Sequence, residues 1–200
     1  MADGAEGREG VKRVEAFSDG VIAIIITIMV LEMHAPEEPG LARLWHLWPV
    51  FIAYALSYAY VAIYWVNHHR MFHYATRVTN ALVWANIALL FALSLVPFAT
   101  AYLGEQKFSR EATLLYMGVM MLPSFAYLWL QTVIRATGRL DEEAADYHRR
   151  MMRKGFVASL IYALGIPLTL VSPALGLTCA LVVAILWFLP KSPLDRLFGT

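Results

Sequence analysis

Few residues of this chain could do chemistry, and most of them stand at the ends of long apolar stretches. His69 and His73 are four apart, which would put two imidazole nitrogens on one helix face and could begin a metal site. No glutamate follows the first histidine as in H-E-x-x-H, and the pair sits at a span's cytoplasmic end among arginines, so an interfacial or structural role fits better. No cofactor and no resident metal is expected. Enzyme chemistry needs a converging nucleophile, base or metal set, and the acids within apolar sequence are too few and too near one end to supply it. Tyr54, Tyr58, Tyr64, Trp45, Trp48 and Trp65 read as packing and aromatic-belt residues. What remains is the segment 14–33, which holds Glu15, Ser18, Asp19, Thr27 and Glu32 and leaves one continuous uncharged, mainly apolar run, 21–31.

The elements that must position these groups follow from composition. The 200 residues are 60% hydrophobic, above the roughly half usual for soluble domains, and the mean hydropathy is +0.57. The 16 basic and 15 acidic residues sit in short blocks between uncharged stretches, the pattern of a chain whose apolar solvent is lipid. A net charge of +1 gives no reason to expect a nucleic-acid partner. The one cysteine, Cys179, excludes an intrachain disulfide. Residues 1–11 carry acids and lack the cationic start and cleavage site of a signal peptide, so the first apolar segment is expected to stay in the mature protein.

Crossing about 30 Å of hydrocarbon takes roughly 20 helical residues. The sequence predicts an all-α integral membrane protein, a single domain over 1–200 with six spans: 13–34, 46–68, 78–103, 112–135, 153–171 and 173–190. Ser172-Pro173 divides the last uncharged stretch into two short helices, because the residue before proline is pushed out of the helical region. Asp146 and Arg150 fit i, i+4 pairing, so the fifth helix should extend back through 141–154 into water. With the N-terminus in the cytosol, thirteen lysines and arginines fall inside and only Arg43, Lys107 and Arg110 outside. That positive-inside bias puts both termini in the cytosol of a cell membrane.

The first segment does not suit lipid on all sides. On a helical wheel with Ile24 at the origin, Ile28 and Leu31 fall on one side of the helix together with Gly20 and Thr27, all four within a sixth of a turn of Ile24. Asp19 and Glu15 fall on the opposite face. That acidic face must meet protein groups, with Arg13, His68, His69 and Asn80 or Asn86 as candidates. The apolar stripe is left to face lipid, another helix or a symmetry axis.

The stretch Arg13-Val14-Glu15-Ala16-Phe17-Ser18-Asp19, reading R-x-x-x-F-S-D, resembles the signature of the endolysosomal transmembrane potassium-channel family and its bacterial homologues. Trp65-Val66-Asn67-His68-His69-Arg70 in the second span, and Trp84-Ala85-Asn86 with Pro97-Phe98-Ala99-Thr100 in the third, extend the resemblance through the N-terminal half. It implies a channel without a T-V-G-Y-G filter, whose pore is lined by the first helix of each repeat. Carried onto this chain, the gate positions are Ile24, Ile28 and Leu31, and the selectivity position is Thr27. One repeat implies a homotetramer in the bilayer, passing potassium and other monovalent cations. Rings of isoleucine and leucine would form a constriction that dewets, while threonine hydroxyls would replace part of the ion's hydration shell. Arg13, Phe17, Ser18, Asp19, His68, His69, Trp84 and Asn86 would then be structural, with Ser18 and Asp19 bonding to His68 or His69 and to Trp84 or Asn86. A carrier, the rival reading, would show inverted repeats and broken helices, and no such symmetry is visible.

Overall fold

The structure is a computed structural model that describes residues 2–36, 40–139 and 141–188. The last two residues of the sixth expected span, with Lys191 and Arg196, lie outside them, and so does the side chain of Arg43. The described residues form helices α1 (Ala2–Leu31), α2 (Leu41–Trp45), α3 (Trp48–Phe72), α4 (Asn80–Ser94), α5 (Val96–Glu105), α6 (Arg110–Thr137), α7 (Glu142–Val171) and α8 (Pro173–Phe188). None of them lies in a strand. Five helical stretches are long and apolar enough to cross a membrane, with α4 and α5 counted as one, and α8 adds a shorter apolar helix of 16 residues. The chain is an all-helical, multi-pass membrane protein.

The helix ends follow local chemistry. Thr79 caps α4 by accepting from the Leu82 amide at 3.1 Å, and Asp141 caps α7 by accepting from the Ala144 amide at 2.8 Å. Arg139 also pairs with Asp141. Both contacts, the amide first, hold the Asp141 carboxyl below the usual aspartate range. Pro49 occupies the first turn of α3, where its missing N–H goes unnoticed.

Three features differ from the sequence expectation. The first helix begins eleven residues earlier than expected, at Ala2, and stops at Leu31. Its N-terminal half is held by close packing: a Cβ on Gly7 would lie 3.0 Å from the Thr76 carbonyl, and one on Gly10 would lie 3.1 Å from Val78 Cγ2. The third expected span is broken at Leu95 into α4 and α5, because Pro97 has no N–H to carry the helix ladder through the bend. A five-residue helix, α2, precedes α3 and was not anticipated. The extension of the fifth helix does appear: α7 runs unbroken from Glu142, with Asp146 pairing to Arg149 and Arg150, and ends at Ser172 before Pro173.

A buried apolar core is threaded by polar side chains, and large apolar side chains cover the outside as well. Phe91, Phe125, Trp129, Leu164 and Phe188 are exposed on the surface. Between α3 and α6 lies a buried ladder. Thr100 Oγ1 donates to Ser57 Oγ at 2.7 Å, Ser57 meets the Tyr116 hydroxyl at 3.0 Å, and Tyr60 donates to the Met120 carbonyl. Tyr64 and Ser124 add a fourth rung at 3.2 Å. The rungs 57–116, 60–120 and 64–124 keep a nearly constant offset, so α3 and α6 run parallel. Alternate spans of an up-and-down bundle must do so. In lipid such bonds and close backbone contacts replace the hydrophobic drive between helices. At Gly176 even a methyl group would collide with Thr169 of the preceding helix.

Candidate pore helix and its signature network

Helix α1 packs on α3, α4 and α5 with one face only. Ser18, Ile22, Ile25 and Met29 are buried on that face. The expected gate residues lie on the other: Ile24 is 58% exposed, Leu31 75% and Ile28 39%. Gly20 and Thr27 share this exposed face. Thr27 Oγ1 donates its proton back to the Ile24 carbonyl at 2.9 Å. Its oxygen lone pairs are therefore turned outward with no donor of their own, an arrangement that suits a cation better than an anion.

Below the stripe, the signature residues sort into two strands of contact. Asn86 Nδ2 donates to Ser18 Oγ at 2.8 Å, Ser18 donates to the Val14 carbonyl at 2.8 Å, and Asn86 Oδ1 lies 2.9 Å from His68 Nε2. Directions are consistent only when His68 carries its proton on Nε2: His68 donates to Asn86, Asn86 to Ser18, and Ser18 to the backbone. His68, Asn86 and Ser18 are all buried, and the imidazole stacks on Phe72 at 4.3 Å between ring centroids.

The second strand joins α1 to α3 directly. Trp65 Nε1 donates to Asp19 Oδ1 at 2.9 Å, and Glu15 Oε1 sits 2.7 Å from His69 Nδ1. Antiparallel helices pair residues whose numbers sum to a constant, and 15 with 69 and 19 with 65 do so. Both acids therefore meet protein groups on the face opposite the stripe.

Three placements depart from expectation. Asp19 bonds to Trp65 rather than to a histidine, because Trp65 is one turn before His69 on the same face of α3. Trp84 stands outside the network and is 64% exposed, since Asn86, two residues on, occupies the face of α4 turned toward α1. Trp65 is a partner of the signature and not only a belt residue. The two i, i+4 pairs, Glu15/Asp19 and Trp65/His69, were the signal that could have found it. Arg13 and Phe17 are exposed and border an open groove of about 390 Å³ between α1 and α4, lined also by Gly10, Val83 and Ile87. No group of three or more metal-binding side chains occurs among the described residues.

Comparison with known proteins identifies the family. A profile of the family described as the endosomal/lysosomal potassium channel TMEM175 matches residues 13–97. The chain is 38% identical over 185 residues to a potassium channel of Chryseobacterium sp. (strain P1-3), covering 92% of this chain and 95% of that one. It is 37% identical over 191 residues to a potassium channel of Streptomyces collinus, covering 90% and 93% of the two chains. Among solved structures, the lysosomal potassium-selective channel TMEM175 homolog from Chamaesiphon minutus superposes with a TM-score of 0.79 at 30% identity, over 89% of this chain and 96% of that one. A relative this similar along nearly its whole length leaves one assignment: the chain belongs to the TMEM175 family.

Proposed function

We propose that the chain is one subunit of a potassium channel, a homotetramer in which four copies of α1 surround the pore. The observation that carries this reading is the exposed stripe of α1, apolar except for Thr27, on a helix whose opposite face is committed to its own subunit. The potassium channels among its relatives support the choice of ion. Residues 1–200 form one transmembrane domain of six spans, with α4 and α5 together as the third and α8 within the sixth. Both termini face the cytosol of a cell membrane, which the distribution of basic residues favours. With Cys179 replaced, a cysteine at position 105 should react with impermeant thiol reagents from outside, and cysteines at 73 and 146 only from inside. Labelling of position 73 from outside would reverse the assignment.

Arg13, Phe17, Ser18, Asp19, His68, His69, Trp84 and Asn86 serve structure in this reading, with Trp65 added. They hold the acidic face of α1 against α3 and α4 so that the stripe meets the axis. A Trp65→Phe substitution leaves Asp19 without its donor and should destabilise the subunit by very roughly 1–3 kcal/mol. The loss should appear as lower melting temperature and tetramer yield. A change in ion preference in the channels that do assemble would mean that Asp19 faces the pore instead.

Thr27 supplies selectivity. Four hydroxyls whose protons are turned back into the helix present oxygen to a partly dehydrated ion, favouring weakly hydrated potassium over sodium. Thr27→Val keeps the shape and removes the oxygen, so the potassium-to-sodium permeability ratio should fall toward unity in bi-ionic reversal potentials. An unchanged ratio would assign discrimination to pore width or backbone groups.

The gate is a desolvation barrier. Rings of Ile24, Ile28 and Leu31 offer a dehydrated ion nothing in exchange for its water. Ile24→Asn, at similar volume, should raise potassium flux from proteoliposomes about tenfold or more, since every ~1.4 kcal/mol removed from a barrier is a factor of ten. Ile28→Asn and Leu31→Asn should do so to a lesser degree. Ile26, packed toward the core, is the control: Ile26→Asn should disturb packing without added flux. Equal leak from stripe and control variants would remove α1 from the pore. Unitary current steps from purified protein in planar bilayers distinguish this channel from a carrier.

A further inference from the structure

Away from α1, the structure holds a second polar site that the channel reading does not use. His148 on α7 and Gln131 on α6 are buried, 1% and 0% exposed, and meet at 2.8 Å between Nδ1 and Nε2. His148 Nε2 and Gln131 Oε1 have no hydrogen-bond partner among the described residues, while the buried hydroxyls of Tyr127 and Tyr147 are turned to each other. Tyr127 and Gln131 are one turn apart on α6, while Tyr147 and His148 are neighbours on α7. Two orphaned polar atoms thus belong to one helix junction.

The neutral imidazole suits this junction and the charged one does not. With the amide nitrogen toward Nδ1, the imidazole accepts one bond and keeps its proton on Nε2. With the amide turned over, Nδ1–H donates to Oε1 and Nε2 is bare. A proton added to His148 leaves only the second arrangement, with a buried N–H and a positive charge that no acceptor meets. Among the described residues no carboxylate contacts the imidazole, and its near neighbours are the rings of Tyr74 and Tyr147, at 5.6 and 5.5 Å. Arg135 on α6 opposes it. The ring of Tyr74, 5.6 Å away, covers the remaining side, and behind it Glu143 is turned to the Tyr74 hydroxyl while Arg139 lies over the Tyr74 ring. Arg70 on α3 brings a further positive charge to Tyr127 and Tyr147. His148 lies seven residues before the uncharged stretch of α7 that begins at Gly155, ahead of the fifth span, and its partner Gln131 is four residues from the cytoplasmic end of the fourth, so the junction stands at the membrane boundary. There burial, and then Arg135, lower its pKa below the ordinary histidine value.

We propose that the His148–Gln131 junction is an acid-released latch, in which uptake of a proton by His148 undocks the N-terminal part of α7 from α6. The sign follows from linkage. A histidine whose folded pKa is lowered holds the folded form fully above its ordinary pKa of about 6.5, and that hold is lost as pH falls below it. The device is separate from the pore residues, because α7 packs chiefly on α6 and α8 while α1 packs on α3, α4 and α5.

Hydrogen–deuterium exchange of the full-length protein in detergent micelles, at pH 7.5 and 5.5, tests this without reference to channel activity. After correction for intrinsic exchange, opening of residues 142–150 should rise several-fold. One imidazole of ordinary pKa sets a ceiling of about tenfold over that interval. Peptides from α5, which carries no histidine, should not change. His148→Gln retains a polar partner for Gln131 and cannot charge, so its acid response should disappear. Where that variant does not assemble, Arg135→Gln takes its place. Removing the cation brings the folded pKa closer to the ordinary value, and the response should shrink. No acid response in the wild type, or one that persists undiminished in the variants, overturns the latch.

Discussion

Hydrocarbon offers polar groups no partner, so those within a bilayer are driven to bond to one another inside the protein. The line from His68 through Asn86 and Ser18 to the Val14 carbonyl is this constraint in its most concentrated form. It crosses three helices with one direction of donation throughout. Since Ser18 and Asn86 are held by each other, the rotation of α1 about its own axis is fixed relative to α4. Asp19 with Trp65 and Glu15 with His69 fix it again relative to α3. A helix clamped on two sides has one face left over. The exposure of Ile24, Thr27, Ile28 and Leu31 is a result of where the hydrogen bonds are, not of any preference of those residues for the outside.

This also explains why so apolar a helix carries so many polar residues near one end. Side chains such as isoleucine are as well solvated by lipid tails as by other helices, so burial alone cannot choose which way α1 turns. Directional bonds can. The same division of labour holds on the other side of the bundle. There the tyrosine and serine rungs between α3 and α6 set register, and close contacts such as Gly176 against Thr169 set distance.

Much of this was legible in the sequence, and the exceptions have physical causes. The all-helical fold, the break at Ser172-Pro173 and the opposition of stripe and acids follow from hydropathy, proline chemistry and the helical period. The break at Leu95 was missed because Pro97 sits inside an unbroken apolar run, and hydropathy does not register a missing N–H. The early start of α1 was missed because Gly4, Gly7 and Gly10 argue against helix locally. Two of them permit contact with the 76–78 loop, which no local rule can see. Trp65 was read as a belt residue because tryptophan near a membrane surface usually is one. Its role depends on the register of two antiparallel helices, and only the pairing of 15 with 69 exposes it.

Helix α7 has a mechanical consequence of its own. It runs 30 residues without interruption, about 45 Å, and its internal proline, Pro167, lies close to one end. Proline is where a helix bends most readily, and the arm from Pro167 back to Glu142 measures about 37 Å. A change of about 10° at that point would sweep the far end through about 6 Å, a whole helical turn, by the same geometry. The short segment beyond the proline stays seated against α8, so α7 has the proportions of an oar, with a near fulcrum, a shaft that crosses the membrane, and only the blade, residues 142–152, in water.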